Sequence, residues 1–147
     1  MNTTELPQYL QVVDALAPVL HGLPGKLIAI DGRLGSGKTT LGRYLAWRFN
    51  VSLVETDLFR GPGDTLTYRL DEINRVIDAR LKRSRPVIVE CAVVLRLMAE
   101  LKRKPDFVIY VSNANSTDTG HFADEIVAYE ARYQPKTKAN LTIEVDV

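Results

Sequence analysis

Five short apolar runs, separated by segments of helical period, constrain this chain more than any other feature of its sequence. The runs are Leu27-Ile-Ala-Ile30, Val51-Ser-Leu-Val54, Val87-Ile-Val89, Phe107-Val-Ile-Tyr-Val111 and Leu141-Thr-Ile-Glu-Val145. Short apolar runs of this type suit strands buried on both faces, as in parallel sheets. Between them, apolar residues recur at helical spacing. Leu41, Leu45 and Phe49 mark one helix, and Leu66, Leu70, Ile73, Ile77 and Leu81 mark a second. Leu95, Met98 and Leu101 mark a third, and Phe122, Ile126 and Tyr133 a fourth. Asp64 is the expected N-cap of the second, and Lys82-Arg83 suits its negative C-terminal end. A further amphipathic helix is predicted over 5–21, on Leu6, Leu10, Val13, Ala17 and Leu20, with Pro18 kinking it or ending it early. One helix followed by β-α-β-α-β-α-β-α-β predicts an α/β fold, a five-stranded parallel sheet with helices on both faces. Right-handed crossovers then restrict its topology.

A chain of 147 residues is about one domain's worth. The expected organisation is a single domain over 1–147, with 1–25 supplying an N-terminal helix packed on the core. Lys plus Arg is 19 and Asp plus Glu 18, a formal net charge of +1. A protein that lives by phosphate-backbone contacts carries a basic excess, so no nucleic-acid partner is expected. The single cysteine, Cys91, makes neither an intramolecular disulfide nor a cysteine-based zinc site. Val87 to Leu97, the longest apolar stretch, is broken by Glu90 and Arg96 and is too short to span a bilayer. Met1-Asn-Thr-Thr-Glu-Leu-Pro7 lacks the basic start and apolar block of a signal peptide, so a cytoplasmic location is expected. The polar segment Ser112–Gly120 is expected to be a mobile loop.

Gly32-Arg-Leu-Gly-Ser-Gly-Lys38-Thr39 fits the phosphate-loop pattern G-x-x-x-x-G-K-[ST] in full. Its glycines let the backbone wrap tightly, so that several N–H groups point at phosphate oxygens. The helix that follows turns its positive end to the same anion. In that chemistry Lys38 reaches the β- and γ-phosphates and the Thr39 hydroxyl ligates Mg²⁺. The expected nucleotide-binding residues are Gly32, Arg33, Leu34, Gly35, Ser36, Gly37, Lys38, Thr39 and Thr40, with the Arg33 side chain expected in solvent. Two acids at strand ends extend the site. Asp57 follows the second strand, and the carboxyl ends of parallel strands line the ligand crevice. A carboxylate there can accept the proton of an attacking hydroxyl. Glu55 is the weaker alternative for that role or for the metal. Glu90 ends the third apolar strand, the position of an acid that holds Mg²⁺ directly or through water, and a cation is a physical reason for a buried carboxylate.

Ile28-Ala-Ile-Asp-Gly-Arg-Leu-Gly-Ser-Gly-Lys-Thr-Thr40, Thr56-Asp57-Leu-Phe59 and Val87-Ile-Val-Glu90 together resemble the uridine-kinase-like branch of P-loop kinases. Tyr129-Glu-Ala-Arg-Tyr133-Gln-Pro135 and Ala139-Asn-Leu-Thr-Ile143 look like that family's late helix and strand. Leu41–Asn50 with Glu55-Thr-Asp57 is also similar, more weakly, to shikimate kinase. The resemblance implies a three-layer fold of sheet order 2-3-1-4-5. It further implies transfer of the γ-phosphate of ATP-Mg²⁺ to a hydroxyl of a small metabolite. Lys38 and Asp57 would be catalytic, and Thr39, Glu90 and Asp57 the metal residues.

The chain departs from that family in several respects, among them a short segment between the second and third strands and Cys91 where a glycine is usual, and the lid bears most directly on activity. The lid position, 112–121, contains no arginine or lysine, where the family carries arginines that clamp the transferring phosphate. Arg96 or Arg132 is the candidate substitute. The alternative reading is therefore an ATP- or GTP-binding module with little or no catalysis, acting as a sensor or partner subunit. No membrane partner is expected, and the chain is expected to be a monomer or homodimer.

Overall fold

A computed structural model describes residues 6–115 and 120–146. Five strands, β1 (Leu27–Asp31), β2 (Ser52–Glu55), β3 (Val87–Glu90), β4 (Phe107–Asn113) and β5 (Leu141–Val145), form one sheet of order β2-β3-β1-β4-β5. All four pairings are parallel. The architecture is α/β, with the sheet order that the resemblance implied. Each strand lies on or within a residue or two of one of the apolar runs.

The alternation of side chains along the strands divides the interior into two cores. Leu27, Ala29, Val54, Val87, Val89 and Val108 face one side, against α3 (Leu70–Leu81), α4 (Val94–Leu101) and α5 (Ala123–Tyr133). Ile28, Ile30, Ile88, Ile109, Val111 and Ile143 face the other, against α1 (Pro7–Leu16) and α2 (Lys38–Phe49). Helices thus cover both faces. A single further turn, α6 (Pro135–Lys138), leads into β5 and had no signal in the periodicity.

Three local expectations are corrected. The N-terminal helix extends over Pro7–Leu16 among the described residues rather than to 21, and it ends early, as expected from Pro18, which lies in the turn that follows. The second predicted helix does not start after Asp64 but at Leu70, with Arg69 as its N-cap. Leu66 belongs to the preceding loop, although it is buried. Its N–H donates to both oxygens of Glu125 at 3.1 Å, its carbonyl accepts from Arg96, and Arg60 pairs antiparallel with Tyr68. Tertiary hydrogen bonds, together with a tight turn in which the Thr67 N–H donates to the Thr65 carbonyl at 2.9 Å, keep this stretch out of the helix that spacing alone suggested. Of the expected mobile loop, 116–119 lie outside the described residues, while Ser112 and Asn113 belong to β4.

Candidate active site

The site is built where β1, β3 and β2 end side by side. Ile30 pairs with Glu90, and Glu90 with Glu55, so three chain exits open on one edge of the sheet. At the first exit the chain turns through Gly32–Gly37 into α2. A Cβ on Gly32 would stand 2.5 Å from the Val111 carbonyl oxygen and 2.5 Å from Ser36 Oγ, so only glycine fits there. Gly37, the N-cap of α2, has φ 95°, which an L side chain rarely adopts, and contributes no side-chain cap. The N–H groups of the first turn of α2 have no partner inside the helix. Ser36 Oγ is buried with no hydrogen-bond partner among the described residues. Lys38 is buried and folds back over the loop, with Nζ 3.4 Å from the Arg33 carbonyl oxygen. Leu34 packs against the core, whereas the side chain of Thr40 is exposed.

The pleat decides which acids join this loop. Ile88 faces α2, and so does Glu90, two residues further along β3. Glu90 is 2% exposed. Burial pushes its carboxyl above the usual range. Lys38 and the Thr39 side chain oppose that shift, while Asp57 and Glu55 reinforce it. Glu55 points the same way but is engaged by Arg43 of α2, whose Nη2 and Nε donate to its two oxygens at 2.7 and 3.2 Å. Asp57 sits in a 3-10 turn, Thr56–Phe59, just beyond β2. The buried Thr56 hydroxyl donates to the Glu90 carbonyl at 2.8 Å and pins that turn to β3, leaving Asp57 exposed at the same end of the sheet, where its charge acts on Glu90. Lys38, Thr39, Glu90 and Asp57 are therefore brought together at one end of the sheet.

These groups suit a phosphate chain carrying a divalent cation. An uncapped helix start, an unpartnered buried hydroxyl and an ammonium provide donors, and a buried carboxylate stands opposite. No cluster of three or more His, Cys, Asp or Glu able to hold a metal occurs among the described residues. A cation held by one or two carboxylates together with phosphate oxygens needs no such cluster, and that is the usual habit of Mg²⁺.

The chain shares its fold with solved kinases. A structure described as a possible uridine kinase from Bacillus stearothermophilus is 15% identical, with a TM-score of 0.64 over 91% of this chain and 98% of that one. Shikimate kinase from Acinetobacter baumannii, solved with shikimate, is 15% identical, with a TM-score of 0.50 over 89% of this chain and 88% of that one. At such identities the likeness is one of fold. No protein-family model matches the chain, and no curated protein matches it.

Several partners were invisible in the sequence. The Arg33 side chain does not project freely into solvent: its Nε and Nη2 donate to Glu130 of α5 at 2.8 and 2.7 Å. Asp31 continues the β1 alternation to the face opposite α2 and is fully buried. It accepts from the Gly32 N–H at 2.9 Å and from the Tyr129 hydroxyl at 2.5 Å. Burial pushes its carboxyl up to about 7, against the pull of Tyr129, Gly32 and Lys38. An acid ending a strand otherwise apolar on that face was the available signal for it. Neither candidate substitute for the lid arginines is directed at the loop. Arg96 bonds the Leu66 carbonyl and pairs with Glu125 and Glu100, and Arg132 lies over the Tyr133 ring at 5.5 Å. A cavity of about 560 Å³ opens on the β4–β5 side of the loop, lined by Arg33, Ser36, Tyr110, Glu130, Lys136 and Glu144 among others.

Proposed function

We propose that the protein is a small-molecule kinase, transferring the γ-phosphate of ATP to a hydroxyl of a small metabolite. What supports this reading is that the buried Glu90 carboxyl feels Lys38 and Thr39 of the loop on one hand and the charge of Asp57 on the other. A nucleotide-binding loop alone needs no second acid on its flank, whereas phosphoryl transfer needs a metal site and a proton acceptor. Bound ATP with Mg²⁺ supplies the phosphoryl group and much of the charge that steadies its transfer. Lys38 and the α2 N-terminus hold the phosphates, and Thr39 and Glu90 are the metal residues. Asp57 accepts the proton of the acceptor hydroxyl, reached from the exposed side of its turn. The cavity on the opposite side of the loop is the place for the nucleoside part. The fold shared with structures described as a possible uridine kinase and a shikimate kinase supports this reading without naming the acceptor.

The test is ATP-dependent phosphorylation measured over nucleosides, sugars and hydroxy acids. Asp57→Asn should lower kcat by about 10²–10⁴-fold, the span of general base catalysis. Turnover undiminished in that variant removes Asp57 as the base. A second reading, a nucleotide-binding module with little catalysis, is favoured by the ties of Arg96 and Arg132 away from the loop. Micromolar ATP-Mg²⁺ binding without turnover on any acceptor selects it.

A further inference from the structure

Two consecutive residues of α5 grip the phosphate loop on either side of Gly32. Tyr129 donates its hydroxyl hydrogen to Asp31 Oδ2, while Asp31 Oδ1 accepts the Gly32 N–H. The same Tyr129 oxygen accepts the Leu95 N–H at 3.0 Å, which anchors it to the start of α4. Glu130 holds the Arg33 guanidinium through two bonds, and the pair is only partly exposed, 36% for Arg33 and 25% for Glu130. Between these two ties Gly32 has little room, because even a Cβ there would meet the Val111 carbonyl and Ser36 Oγ at 2.5 Å. The Arg33 carbonyl in turn receives the Ser36 N–H at 3.1 Å and Lys38 Nζ. The orientation of the Arg33 peptide therefore bears on the two groups that the loop would direct at phosphate.

We propose that Tyr129 and Glu130 are positioning residues for the nucleotide: from α5 they fix the loop geometry in which Ser36 and Lys38 meet a triphosphate. The inference rests on the nucleotide-binding reading above and adds to it a role for a helix that supplies none of the loop's own residues. Geometry and plain electrostatics predict opposite signs for Glu130. Removing its negative charge lowers repulsion of a polyanion, and by charge alone that strengthens binding. If Glu130 acts by holding the loop, its removal weakens binding instead.

The experiment compares Glu130→Gln, Tyr129→Phe and Arg33→Gln, each alone, with the double variant Arg33→Gln/Glu130→Gln. ATP-Mg²⁺ and inorganic tripolyphosphate serve as ligands in calorimetry, and melting temperatures are measured alongside. Glu130→Gln and Tyr129→Phe should each weaken both ligands about tenfold, the scale of one lost hydrogen bond. The double variant should be no weaker than either of its singles, because one tie is broken in each case. Glu130→Gln should melt near the wild-type temperature. Unchanged or tighter binding by Glu130→Gln overturns the proposal. So does additivity in the double variant, which would make Arg33 an independent phosphate contact. Amide hydrogen exchange without nucleotide separates this failure from that of the underlying reading. The ties predict faster exchange at 32–38 in Glu130→Gln. If wild type binds neither ligand, the nucleotide reading falls, and unchanged exchange then overturns the ties as well.

Discussion

Asp31 is a residue whose burial works against the fold. A carboxylate with no exposure, lifted from 3.8 to about 7 chiefly by burial, is ionised in the unfolded chain over a range where the folded chain keeps its proton. The sign follows from proton linkage: where the native state binds more protons, stability falls as pH rises. The contribution of Asp31 favours the fold most below about pH 4, declines as pH climbs toward 7, and levels off above that. Glu90, also raised by burial, adds a slope of the same sign. Denaturant unfolding at about pH 5 and about pH 7.5 should therefore show the wild type weaker at the higher pH, with Asp31→Asn showing a smaller difference. A variant with as steep a loss as wild type would assign the slope elsewhere. Glycine at position 32 belongs to the same scale. The motif marks it from sequence, and the close approach of Val111 gives the steric reason.

At the scale of elements, the segment between β2 and α3 depends on contacts far away in the chain. Leu66 is fastened by Glu125 of α5 and Arg96 of α4, and Arg96 also touches Glu100. Arg96→Ala orphans the Leu66 carbonyl and unpairs Glu125, which should cost about 1–3 kcal/mol. Amide exchange over 61–69 should accelerate more than exchange in β1. Uniform acceleration across the protein would mean that the loss is global rather than local. This segment also shows where sequence reading stops. The strands and the helices α2 to α5 were legible, because an apolar run or a helical period is a local property of consecutive residues. Leu66 carried the right spacing for α3 and an acid upstream for its cap, yet long-range hydrogen bonds claimed its backbone. Arg33 is a similar case, since its partner Glu130 is 97 positions away.

For the whole molecule, the sheet is a partition with a core on either side, and α1 closes the core that holds α2. Val12 and Leu16 are fully buried there, while Leu10, on the same helix, is 46% exposed. Leu16→Ala should cost about 2–5 kcal/mol, the range for an interior leucine truncated in place. Leu10→Ala should cost less than about 1 kcal/mol, and equal losses would contradict the described seating of α1. Among the described residues no helix is long and apolar enough to cross a membrane. The sequence by itself determined the α/β class, the five strands, the phosphate loop with its flanking strand and helix, and the acids at the ends of β2 and β3. These follow from periodicity and from short motifs whose parts are neighbours in the chain. Only the tertiary structure decided that Glu90 faces α2 while Asp31 faces α5, that Arg43 occupies Glu55, and that Tyr129 and Glu130 hold the loop. Pleat phase and strand register settle which residues share a face, and ties between residues roughly a hundred positions apart leave no periodic trace.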